Sequence, residues 1–157
     1  MCFVLYAGTM KPIPRKEWQE NTPDLSVETL SDRDAPIKTH FKLPEVQYIG
    51  SSSMCGCDFP HVTLHNGDWP MLDPVLQGLR RTSDRTATEN TNREALFKLL
   101  KETREQSVEL YGIWDGNFIE GPKAFETIPL EKILDPDFYL KEQGFYIVQI
   151  KSSVNFQ

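Results

Sequence analysis

The densest chemistry in the chain is a pair of cysteines held apart by one glycine, Cys55-Gly56-Cys57, with His61 and His65 following within eight residues. Side chains alternate along an extended backbone, so Cys55 and Cys57 leave the chain on the same side. Gly56 has no Cβ and lets the backbone bend until both sulfurs face one point. Thiolate and imidazole suit zinc, which takes about four such donors. Cys55, Cys57 and His61 are therefore the candidate metal ligands, and zinc is the candidate cofactor.

The spacing departs from the usual structural zinc pattern, in which two knuckles each separate their cysteines by two to four residues. A four-cysteine iron–sulfur cluster is excluded, because the chain holds only Cys2, Cys55 and Cys57. Geometry narrows the histidines. If residues 61–65 form a strand, His61 and His65 lie ~13 Å apart and cannot share an ion. If they form a helical turn, they lie ~6 Å apart. Val62 and Thr63 favour the strand, and Asn66-Gly67 is a strong hairpin-turn signal. One histidine at most then joins the cysteines, and His61 is the nearer. Cys2 joins them only if the strand it precedes runs antiparallel to the strand before the cysteines; in a parallel pair it sits ~15 Å or more away. His40 is a further candidate, reaching the loop from a neighbouring strand.

Two other readings compete with a metal- or ligand-binding loop. Cys55 or Cys57 can act as the nucleophilic thiolate of an enzyme or redox protein, with the loop's backbone N–H groups cradling an anion. Alternatively the cysteines are small packing residues in a structural or interaction domain. In that case Trp18, Trp69 and Tyr111 are candidates for a shared protein-binding surface.

The elements that position these residues can be read from pattern. Val46–Gly50 is a β-branched and aromatic strand leading straight into the loop, and Ser51, Ser52 and Ser53 are turn formers. Phe3–Ala7 is a continuous apolar run, expected of a central strand covered on both faces. Residues 25–30 and 37–43 read as short strands, with a polar turn or a short helix opened by Ser31 between them. Residues 11–24, rich in proline, read as an irregular loop. Asp73-Pro74 is a helix start, and residues 80–90 read as a polar loop. The main helix is expected over 92–105, where Leu96, Leu99, Leu100 and Thr103 form the core stripe and Thr91 with Glu94 a capping box. Strands follow at 108–114 and 124–128, with Asp115-Gly116 turning the chain so that residues 117–120 return. A helical turn at 129–134, a short helix from Asp135 to Gly144 and a last strand at 145–150 complete the chain. Strands do not alternate regularly with helices. The expected fold is a single α+β domain over 1–157: a mostly antiparallel or mixed sheet of about six strands against one main helix and one or two short ones.

Composition bounds the partners. A net charge of −6 argues against nucleic acid, whose recognition needs a basic face. No apolar run approaches the ~18 residues of a membrane span, and the apolar start MCFVLYAG lacks the charged region of a signal peptide. Three cysteines, few and odd in number, do not suggest a disulfide scaffold, so a reducing cytoplasm is expected. A metal or small-molecule ligand and a homo-oligomer both remain open. No phosphate-binding glycine loop, dinucleotide fingerprint, metalloprotease helix, thioredoxin motif or serine elbow occurs.

Overall fold

The computed structural model describes residues 2–64, 66–69 and 84–151. Its centre is a six-stranded mixed sheet in the order β2-β3-β1-β5-β8-β6. The strands are β1 (Phe3–Thr9), β2 (Ser26–Thr29), β3 (Glu45–Gly50), β5 (Ser107–Trp114), β6 (Ala124–Pro129) and β8 (Gly144–Gln149). All neighbours run antiparallel except β6 and β8, which are parallel. A two-stranded parallel ribbon joins β4 (His61–Val62) to β7 (Leu140–Lys141). Among the described residues, one main helix, α1 (Asp84–Glu102), and 3-10 helices at Ala35–His40 and Leu130–Leu134 accompany the sheet in an α+β fold.

Every residue of β1 is buried, as its unbroken apolar run requires. The pleat sorts its side chains into two cores. Phe3, Leu5 and Ala7 join Ile49, Leu110, Tyr146 and the α1 residues Leu96 and Leu100 on one face. Val4 and Tyr6 join Ile37, Val46, Phe118 and Phe145 on the other. Each large apolar side chain so buried contributes about 1.5–3 kcal/mol.

The departures from the expected elements have local causes. Residues 37–43 do not form a strand. Pro36 sits at the start of a 3-10 helix, where its fixed φ suits a first helical residue, and Ile37 is buried. The turn before it is closed by Asp34, whose carboxylate accepts the backbone N–H and hydroxyl of Ser31. Asp115-Gly116 does turn the chain, with the Asn117 N–H donating to the Trp114 carbonyl at 3.0 Å. Residues 117–120 do not return as a strand, because Phe118 is drawn into the second core and the Tyr111 hydroxyl holds the Glu120 carbonyl. The expected helix from Asp135 to Gly144 is replaced by a turn and β7. The Asp135 carboxylate accepts the Asp137 N–H, and this short local bond competes with helix formation.

The main helix begins earlier and ends sooner than expected. Residues 84–90 are helical rather than a loop, and Thr91 lies inside the helix, its hydroxyl donating to the Ala87 carbonyl, so it is no cap. The Asp73-Pro74 helix start lies outside the described residues, as does His65. Tyr111 is wholly buried, so it cannot form an exposed surface with Trp18 and Trp69. The two tryptophans are half-buried, and their indole N–H groups are spent on the Ser52 and Glu142 carbonyls.

Candidate metal centre

The antiparallel sense of β1 and β3 decides the site. Leu5 pairs with Ile49, so the start of β1 meets the end of β3, and Cys2 arrives beside the Ser51–Cys57 loop. The Gly56 N–H donates to the Phe3 carbonyl at 2.8 Å, extending the contact past the last strand pair. The Asp115 N–H holds the Cys2 carbonyl from the other side, also at 2.8 Å.

The loop itself is tightly hydrogen-bonded. The Ser51 N–H donates to the Cys55 carbonyl at 2.7 Å, and the Met54 N–H to the Ser51 carbonyl at 3.0 Å. The Ser51 hydroxyl also bonds the Cys55 carbonyl. Met54 adopts φ of 80°, a left-handed conformation uncommon for its type, and the Tyr48 hydroxyl donates to its carbonyl at 2.7 Å. Gly50 permits this turn, because a Cβ there would overlap the Met54 carbonyl and the Ser26 hydroxyl.

The result is a cluster of three sulfurs. The Sγ atoms of Cys2, Cys55 and Cys57 all lie within 4.8 Å of one another. All three residues are half-buried and none is disulfide-bonded. A tetrahedral zinc with bonds of about 2.3 Å needs sulfurs ~3.8 Å apart, so the closure required is about an ångström or less. A Cys2/Cys55/Cys57 cluster that could bind a metal ion is thus present in the fold.

Cys55 and Cys57 are electrostatically unequal. Burial alone would raise the Cys55 pKa. The Cys57 backbone N–H, 3.4 Å from its sulfur, together with the Cys57 and Cys2 thiols and the Ser53 hydroxyl, outweighs burial and brings it below the ordinary thiol value. Cys57 is pushed up to about 12, first by burial and then by donating to Cys55. Cys55 therefore gives up its proton more readily than Cys57. Burial and the nearby Cys55 and Cys2 also raise the Tyr48 pKa, so its phenol stays neutral.

The two candidate histidines are not part of the three-sulfur group. The ring of His61 stacks on Phe3 with centroids 4.4 Å apart and an interplanar angle of 7°. Phe3 packs in the first core, whereas Cys2 packs against the second, and His61 is outside the three-sulfur group. Its Nδ1 is 2.7 Å from the Phe59 carbonyl, which can only accept, so Nδ1 is the donor in that bond. His40, on its 3-10 helix, places Nε2 2.9 Å from the Phe118 carbonyl and its ring edge-on to Tyr111. It does not reach the cysteine loop. Sequence spacing gave no direct sign that Cys2 belongs to the site; only the strand direction supplies it.

A groove of about 840 Å³ lies between the 11–16 segment and α1, floored by Ile13, Leu25, Val27 and Leu99. None of the cysteines lines it, so the cavity and the thiol chemistry are separate features. Compared with protein-family models, curated proteins and solved structures, the chain matches none.

Proposed function

We propose that the protein binds a thiophilic metal ion, with zinc as the ion, through Cys2, Cys55 and Cys57. The observation that carries this reading is the mutual approach of three sulfurs to within 4.8 Å, assembled where the start of β1 meets the loop after its antiparallel partner β3. Soft thiolate ligands favour zinc or copper(I) over magnesium or calcium, which prefer oxygen. Three protein ligands leave a fourth tetrahedral position for water or a further donor, the arrangement of zinc sites that do more than hold a fold together.

His61 is the protein donor that would complete the shell. Its Nδ1 bond to a backbone carbonyl is the outer-shell arrangement that orients a ligating imidazole. Zinc titration against a chromophoric chelator, on tag-free protein under reducing conditions, tests the proposal. One equivalent bound by the unmodified chain, and none by Cys55→Ser, is the expected result. Binding of less than one-tenth equivalent by the unmodified chain would remove it. His61→Ala then decides the fourth position: about tenfold or greater weakening assigns it to the imidazole, and unchanged affinity assigns it to solvent.

A further inference from the structure

The same three sulfurs carry a second chemistry that needs no metal. We propose that Cys55 reduces a hydroperoxide and that Cys2 captures the oxidised sulfur, closing a reversible Cys2–Cys55 disulfide.

Cys55 is the hub of the cluster. Its sulfur accepts the Cys57 backbone N–H at 3.4 Å and lies 3.9 Å from the Ser53 hydroxyl, and the residue is half-exposed. These contacts fix the position of that sulfur at the centre of the cluster. In the first step the Cys55 sulfur attacks the distal oxygen of the peroxide. An S–O bond forms, the O–O bond breaks, and the leaving alkoxide takes the proton given up by the Cys55 thiol to become an alcohol. In the second step the Cys2 sulfur attacks the Cys55 sulfenic sulfur. The S–S bond forms, the S–O bond breaks, and the departing hydroxide takes the Cys2 proton as water. The two thiols supply the two electrons that reduce the peroxide. An external thiol reverses the disulfide.

Cys2 is the capturing partner for a geometric reason. Its Sγ is within 4.8 Å of Cys55 and comes from a different segment of the backbone, so a bridge joins two strand ends that already lie side by side. A Cys55–Cys57 bridge would close a ring over one intervening residue, Gly56, and is strained. The Asp115 N–H bond to the Cys2 carbonyl holds Cys2 at the loop while the bond forms.

The test uses the reduced, chelator-stripped full chain, so it is independent of whether zinc binds. The protein is treated with equimolar tert-butyl hydroperoxide, the free thiols are alkylated, and a digest is read by tandem mass spectrometry. The expected result is loss of two of the three alkylatable thiols. A Cys2–Cys55 cross-link should appear, Cys57 should remain alkylated, and dithiothreitol should restore all three. Cys2→Ser leaves a sulfenic acid on Cys55 that dimedone traps. A Cys55–Cys57 bridge, a link between two chains, or full alkylation of the unmodified chain after peroxide each overturns the proposal, and the unmodified chain alone suffices to decide.

Discussion

A methyl group on Gly56 would lie 2.7 Å from the Phe3 carbonyl oxygen, closer than a Cβ can approach a backbone atom. The Gly56 N–H bond to that same carbonyl is what docks the cysteine turn on β1. Gly56→Ala must therefore push the turn away from Cys2. We expect about 1–3 kcal/mol of destabilisation in urea unfolding and a matching loss of zinc affinity. The thiols also differ in pH behaviour. Cys55, its pKa lowered on folding, favours the fold above the ordinary thiol range and loses that contribution as pH falls through its folded value. Cys57, its pKa raised to about 12, favours the fold below the ordinary thiol range and loses that contribution as pH climbs toward 12. Iodoacetamide should accordingly modify Cys55 at lower pH than Cys57, as peptide mapping would show. Zinc must displace the Cys57 proton, so its apparent affinity should rise with pH by about tenfold per unit for each proton released.

Among the elements, α1 reaches the cysteine loop through Asn92. Asn92, almost wholly buried, accepts the Ser52 N–H at 2.9 Å and donates to the Ser52 hydroxyl at 3.0 Å. Asn92→Ala strands that N–H inside the protein, a loss of about 1–3 kcal/mol. It should also speed alkylation of Cys55 and Cys57 by loosening their loop. Asn92→Asp, which keeps the acceptor, should be milder in both measurements. The same residue explains why half of this helix was illegible in the sequence. From Leu96 onward the core face is hydrocarbon, and the apolar period reveals it. Before that, the buried face is Glu89, Asn92 and Arg93, held by hydrogen bonds such as the Arg93 guanidinium to the Phe138 carbonyl at 2.8 Å. A face built from polar groups has no apolar period to read. The six strands of the main sheet were legible because their alternating or unbroken apolar runs directly record burial. The segments at 37–43 and 135–144 were not, since proline placement and a single aspartate bond decided them.

Over the whole molecule, the site joins parts of the chain far apart in sequence. The cysteine turn was legible as a candidate from spacing alone. The third sulfur was not, because it depends on the pairing direction of β1 and β3, which no local pattern records. That long separation has an energetic consequence. In the unfolded chain Cys2 and the 55–57 pair are rarely together, so an ion held by all three binds the folded state almost exclusively. Zinc at a hundredfold its dissociation constant should then add about 2.7 kcal/mol to unfolding free energy. Cys2→Ser removes one ligand without disturbing the Gly56–Phe3 docking bond. It should leave the metal-free unfolding midpoint nearly unchanged while abolishing most of the zinc-induced increment. Parallel urea titrations with and without zinc measure both quantities. An increment that survives Cys2→Ser would mean the ion is held by the loop alone, and the antiparallel pairing that brings Cys2 to the loop would play no part in binding.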